Sequence, residues 1–276
     1  MGVTLPWAVE AGLPAPTICP QFSCKCLLQG VVMSGAVLVF GATGGIGGAI
    51  AEGLAASGVP VHLAGRDAQR LAAMASRLGA PATVCDVLAP GAVAQAVAEA
   101  ASAGGGALAG LVFAVGSIVL KPAKRATVED HLAAYRLNVV AAAEAIAAAE
   151  PALKAGQGSV VLFSSVAARS GFANHSVIGP AKAAVEGLTV ALAAELAPAV
   201  RVNCIAPSLT RTGIAAPLAG NEAMAKAIAA QHPIPRLGEA EDSAALARFL
   251  LGPAAGWITG QVFAVDGGRS SLRTKG

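Results

Sequence analysis

From Ala36 onward, short apolar runs rich in β-branched residues alternate with longer alanine-rich runs. The short runs are Ala36–Phe40, Pro60–Ala64, Ala82–Cys85, Gly110–Val115, Ser159–Ser164, Arg201–Ile205 and Gln261–Val265. Their continuous apolar character predicts strands buried on both faces. Between them, helices are expected at Ile46–Ser57, Ala68–Leu78, Ala92–Ala103, Thr127–Lys154, His175–Leu196 and Glu239–Leu251. Thr127 offers a capping hydroxyl, with Glu129 and Asp130 in the first turn. Gly79, Gly156 and Gly252 each follow a helical run, as a C-terminal stop does. Strands separated by helices pair in parallel through right-handed crossovers. The expectation is one α/β domain: a doubly wound parallel sheet between two helical layers, with its ligand at the carboxyl ends of the strands.

Composition tests that picture. Of 276 residues, 55% are hydrophobic and 13% charged, and the mean hydropathy is +0.65, which raises the question of a membrane. Two long uncharged runs exist, Leu27–Ala51 and Ala100–Leu120. Glycines interrupt both, so neither is expected to span a bilayer, and a buried parallel sheet accounts for them. The net charge of +3 comes from scattered basic residues with few aromatics, which gives no support to nucleic-acid binding. Cys24-Lys25-Cys26 has no second pair at zinc-ligand spacing, so no metal site is expected. Five free thiols (Cys19, Cys24, Cys26, Cys85 and Cys204) suit a reducing cytoplasm. Residues 1–32 lack the pattern of a secretory signal. They are expected to be a disordered leader or to precede the true start, with the domain running from Met33 to Gly276.

Candidate chemistry begins after the first strand, at Gly41-Ala42-Thr43-Gly44-Gly45-Ile46-Gly47-Gly48. Glycine there permits a tight turn, lets backbone N–H groups approach a pyrophosphate, and allows close packing of helix on strand. This strand–turn–helix context marks a Rossmann-type dinucleotide site. The second strand ends in Leu63-Ala64-Gly65-Arg66-Asp67, without the carboxylate that would hold a ribose diol. Arg66 can instead pair with a 2′-phosphate, which favours NADP(H) over NAD(H), while Asp67 stays within reach of the ribose. Further on come Asp86-Val87, Gly116, Asn138, Ser164-Ser165, Lys182, Asn203 to Thr212, and Asp266-Gly267-Gly268.

In spacing and context these residues resemble the short-chain dehydrogenase/reductase family over Ala36 to about Gly268. The resemblance implies that Gly41, Thr43, Gly45, Ile46 and Gly47 line the cofactor, and that Asp86 and Val87 contact adenine. Gly116 is all that remains here of the family's Asn-Asn-Ala-Gly; it passes the ribose. Pro207 fixes a turn, and Thr212 helps hold the nicotinamide carboxamide. Asn138 kinks the central helix and anchors a water. Ser165, in preference to Ser164, steadies the substrate oxygen, and Lys182 holds the ribose hydroxyls of the nicotinamide.

The catalytic tyrosine, expected four residues before Lys182, is replaced by Ile178. Tyr135 lies on another helix and is expected to pack or form an interface. His175, seven residues before Lys182, reproduces the Tyr-x6-Lys spacing of enoyl-acyl-carrier-protein reductases and could relay a proton if both share a helix face. Three functions follow: reduction of a carbonyl or oxidation of an alcohol on a small apolar substrate; reduction of an activated carbon–carbon double bond; or dinucleotide binding without chemistry. Residues 211–237, with Pro217, Pro233 and Pro235, are expected to form a mobile apolar lid. By resemblance, the two long helices imply a dimer or tetramer.

Overall fold

The computed structural model describes residues 34–274. The expectations for the leader, and for Cys19, Cys24 and Cys26, lie outside the described residues. All seven strands form close to their expected positions: β1 (Ala36–Phe40), β2 (Val61–Gly65), β3 (Ala82–Val84), β4 (Leu108–Phe113), β5 (Ser159–Phe163), β6 (Arg201–Pro207) and β7 (Val262–Val265). They make one parallel sheet in the order β3-β2-β1-β4-β5-β6-β7. Strand order reverses between β1 and β4, which puts the ligand crevice beyond their carboxyl ends.

The alternation of β1 shows why its whole sequence is apolar. Leu38 and Phe40 pack into one core and Val37 and Val39 into the other, all fully buried. The first core takes α3 (Ala92–Ala103), α5 (Ala141–Ala155) and α6 (Ile178–Leu196); the second takes α1 (Gly45–Ala56), α2 (Ala68–Leu78) and α9 (Ala240–Leu251). The expected three-layer, doubly wound architecture is therefore the observed one.

Three elements differ from expectation. The predicted helix Thr127–Lys154 is three pieces: α4 (Val128–Tyr135), a π-helical turn (Arg136–Val140) and α5. Thr127 accepts from Asp130 N and Asp130 from Thr127 N, the reciprocal cap that fixes the start of α4. The Val128–Ala155 run is long and apolar enough to cross a bilayer, yet its inner face packs on α3 and β4 as a core element. Residues 100–120 are the end of α3, a glycine turn, β4 and the loop after it.

The second difference is at α6, which begins at Ile178 instead of His175. Asn174 adopts the left-handed conformation (φ +65°), and Lys121 N donates to its carbonyl at 2.9 Å. His175 thus belongs to a turn bridged to Lys121. Pro180 falls in the first turn of α6, where a missing N–H costs nothing. Third, residues 211–237, expected as a lid, are partly helical, with α7 (Ala216–Ala219) and α8 (Glu222–Ala229). Asn221 caps α8 by accepting from Met224 N.

Candidate active site

The glycine-rich turn follows β1 directly and opens α1, whose N-terminus has no side-chain cap. Its first N–H groups are therefore available to an anion. Gly41 sits at φ +78°, and a Cβ there would lie 2.8 Å from the Ala114 carbonyl oxygen. A Cβ on Gly47 would come within 2.3 Å of the Gly41 carbonyl oxygen, and one on Gly45 within 2.6 Å of Thr212 Cγ2. Side chains at these positions would collide with neighbouring backbone or with Thr212, so glycine is what lets the turn pack this closely between strand and helix.

At the end of β2, Arg66 is exposed and makes no side-chain hydrogen bond or ion pair among the described residues. Asp67 is engaged as the cap of α2, accepting from Arg70 N at 3.0 Å. Arg70, unnoticed in the sequence, reaches back and donates to the Thr43 carbonyl at 2.8 Å. Asp86 is exposed and accepts from Leu88 N, while Val87 beside it is buried.

The two serines after β5 separate cleanly. Ser164 is buried, with its hydroxyl 3.0 Å from both the Lys182 carbonyl and Glu186 Oε1. Ser165 accepts from Ala167 N at 3.2 Å and lines a cavity of about 320 Å³ at the strand ends. Lys182, on the first turns of α6, lines the same cavity and donates from Nζ to the Phe163 carbonyl at 2.9 Å. Burial lowers its pKa to about 8, against a smaller upward pull from Cys204. The two buried thiols move the other way: burial pushes Cys85 up to about 11 and Cys204 up to about 12, which leaves both unreactive.

Asn138 sits inside the π-helical turn and is 2% exposed. Its Nδ2 donates to the Ala134 carbonyl at 2.8 Å and to Ser117 Oγ at 3.2 Å. Its Oδ1 is buried without a protein partner among the described residues, so a polar atom there faces inward for a ligand or water. Gly116 lies against both groups: a Cβ would approach Asn138 Oδ1 to 2.8 Å and Lys182 Nζ to 3.1 Å.

Ile178, at 4% exposure, contributes an apolar wall to the cavity. His175 also lines it, with Nδ1 2.8 Å from the Ala173 carbonyl. The helix-face relation expected between His175 and Lys182 is not present, because His175 precedes α6. What joins them is the cavity.

A further wall was invisible in the sequence. Ser208, one residue past Pro207, and Arg269, one past Gly268, both line the cavity. Asp266 accepts from Gly268 N and Ser270 N, forming the turn that presents Arg269. Burial pushes the Asp266 pKa up, but those hydrogen bonds hold it below the usual range. Nothing in local periodicity marks Arg269; only its position directly after the Asp-Gly-Gly turn could have done so.

Comparison with known proteins agrees with this geometry. The family model described as enoyl-(acyl carrier protein) reductase matches residues 41–270. A tropinone reductase homolog of Arabidopsis thaliana is 37% identical over 238 residues, covering 84% of this chain and 90% of the relative. A short-chain type dehydrogenase/reductase from Mycobacterium ulcerans superposes with a TM-score of 0.82 at 33% identity, covering 87% of this chain and 91% of that one. An actinorhodin polyketide ketoreductase with NADPH gives a TM-score of 0.81 at 26% identity, covering 87% and 98%. The chain belongs to the short-chain dehydrogenase/reductase family, the NAD(P)-dependent oxidoreductases of carbonyl and alcohol substrates.

Proposed function

We propose that this protein is an NADP(H)-dependent carbonyl reductase, or alcohol dehydrogenase in reverse, for a small substrate with an apolar body. The observation that carries the reading is the shared cavity of Ser165 and Lys182, with Gly116 packed against Lys182 and Asn138. In this reading the cofactor lies along Gly41, Thr43, Gly45, Ile46 and Gly47, with Asp86 and Val87 at adenine and Pro207 and Thr212 at nicotinamide. Arg66, free of other partners among the described residues, pairs with the 2′-phosphate, and Arg70 one turn later adds positive charge. When bound, the reduced nicotinamide supplies the hydride.

The chain's own residues do the rest. Ser165 Oγ–H donates to the substrate oxygen as negative charge grows there. Lys182 Nζ, anchored on the Phe163 carbonyl, holds ribose hydroxyls and adds positive potential beside the same oxygen. Asn138 Oδ1 holds a water toward Lys182. The proton that a tyrosine would deliver comes through His175. With Nδ1–H donated to the Ala173 carbonyl, Nε2 can carry a second proton toward the cavity and exchange it with solvent.

The test is an NADPH-oxidation screen pairing ketones with enoyl thioesters, on wild-type protein and His175→Ala. Ketone turnover that drops at least about tenfold in the variant supports the relay. Enoyl turnover alone would replace the carbonyl reading with double-bond reduction, and full activity in His175→Ala would make that histidine structural. The two buried thiols support a cytoplasmic setting. Val128, Leu132 and Tyr135, exposed along α4, support assembly into a dimer or tetramer.

A further inference from the structure

The cavity that Ser165 lines also carries a cation held in place by a chain of side chains. The Arg269 guanidinium lies 4.5 Å over the Phe172 ring. Its Nη1 donates to Ser208 Oγ at 3.3 Å, and Nη2 donates to Gln231 Oε1. Behind Ser208 stands His232, 5% exposed, with Nε2 2.8 Å from Ser208 Oγ and Nδ1 2.9 Å from the Ile228 carbonyl. A carbonyl only accepts, so Nδ1 of His232 carries the proton and its Nε2 accepts from Ser208. The Ser208 oxygen is then turned toward Arg269. With His232 neutral, these bonds run in one direction and together steady one guanidinium.

Burial lowers the pKa of that guanidinium, and the nearby Asp266 carboxylate, turned to Gly268 N and Ser270 N, offsets this only in part. Arg269 makes no ion pair among the described residues. The residues lining the cavity include Lys182 and Arg269 but no aspartate or glutamate. The half-buried guanidinium keeps N–H donors beyond those given to Ser208 and Gln231. The same cavity is also lined by Ile118, Leu120, Leu209, Ile214, Leu218 and Ile228. A partly buried cation beside an apolar slot is matched by an anion on an apolar body.

We propose that the cavity takes an oxo acid or hydroxy acid, whose carboxylate is bound by Arg269 while its carbonyl or alcohol meets Ser165. The proposal rests on the carbonyl-reductase reading and narrows its substrate class. Arg269 here is a specificity-determining residue; it acts on binding, and the reacting oxygen is left to Ser165.

The experiment is calorimetric titration of the NADPH-saturated protein with levulinate, benzoylformate and benzoylpropionate, each against its methyl ester. The best-fitting acid binds about tenfold or more tightly than its ester, since a charge-assisted bond to arginine is lost on esterification. Arg269→Met abolishes the preference, and Arg269→Lys, which keeps the charge and disturbs packing less, retains part of it. Equal binding of acid and ester by the wild-type protein across the series overturns the proposal, as does absence of binding by all six compounds. Persistence of the preference in Arg269→Met overturns it too. NADPH oxidation followed on the same pairs separates the two claims. An acid preference without turnover on any ketone counts against the reductase reading alone, whereas equal turnover of acids and esters counts against Arg269 alone.

Discussion

The two sides of the cleft are built from different materials. In the proposed reading, the nucleotide side works through backbone N–H donors of the glycine-rich turn, where side chains matter by their absence. In the same reading, the substrate side works through single side chains: Ser165, Lys182, Asn138 and His175. A backbone cradle is protected by sterics, because almost any substitution obstructs it. A side-chain site can lose one member without disturbing its neighbours. Ile178 shows this: it is 4% exposed and well packed in the cavity wall, in a helix whose fold is intact.

The largest test of this contrast strikes the cradle. Gly47→Val forces a side chain onto the Gly41 carbonyl and should weaken NADPH binding roughly a hundredfold, or unfold the domain. Fluorescence titration read beside circular dichroism separates those outcomes, and wild-type binding would mean the turn cradles nothing. The next test restores the lost member. Ile178→Tyr should raise ketone reduction by about a hundredfold, the usual contribution of a placed general acid. Unchanged turnover in a variant that still binds NADPH would show that the inherited geometry is gone.

Smaller effects refine the boundary between the two sides. Arg66→Ser should cost about tenfold in NADPH affinity and leave NADH affinity unmoved; equal losses for both would remove the 2′-phosphate pairing. Lys182 gives a pH signature. With its pKa lowered to about 8 by burial, about half of it is neutral near pH 8. An anionic dinucleotide favours the charged form, so its binding draws in protons at pH 8 and draws none well below that pH. NADPH affinity accordingly weakens as pH rises through this range. Calorimetry in two buffers of different ionisation enthalpy measures the uptake, and Lys182→Met abolishes it.

Legibility in the sequence followed the same division. The sheet was readable because parallel strands buried on both faces are apolar without interruption, as β1 and β4 are. The place of the glycine-rich turn was readable because strand–turn–helix continuity fixes it. The irregularity at Asn138 was readable only through the family resemblance, because Val128–Ala155 is so rich in apolar residues that the phase shift of a π-helical turn leaves little mark in its periodicity. His175 was assigned to α6 because spacing alone cannot register the left-handed Asn174 that starts the turn before it. Arg269, Ser208, His232 and Phe172 lie on four separate segments, and only tertiary packing brings them together.

Thr212, resting on the face of Gly45 at the root of the lid, has one more consequence. The segment that leads into α7 and α8 and the glycine-rich turn pack face to face there, so a larger side chain at either position would be felt in both.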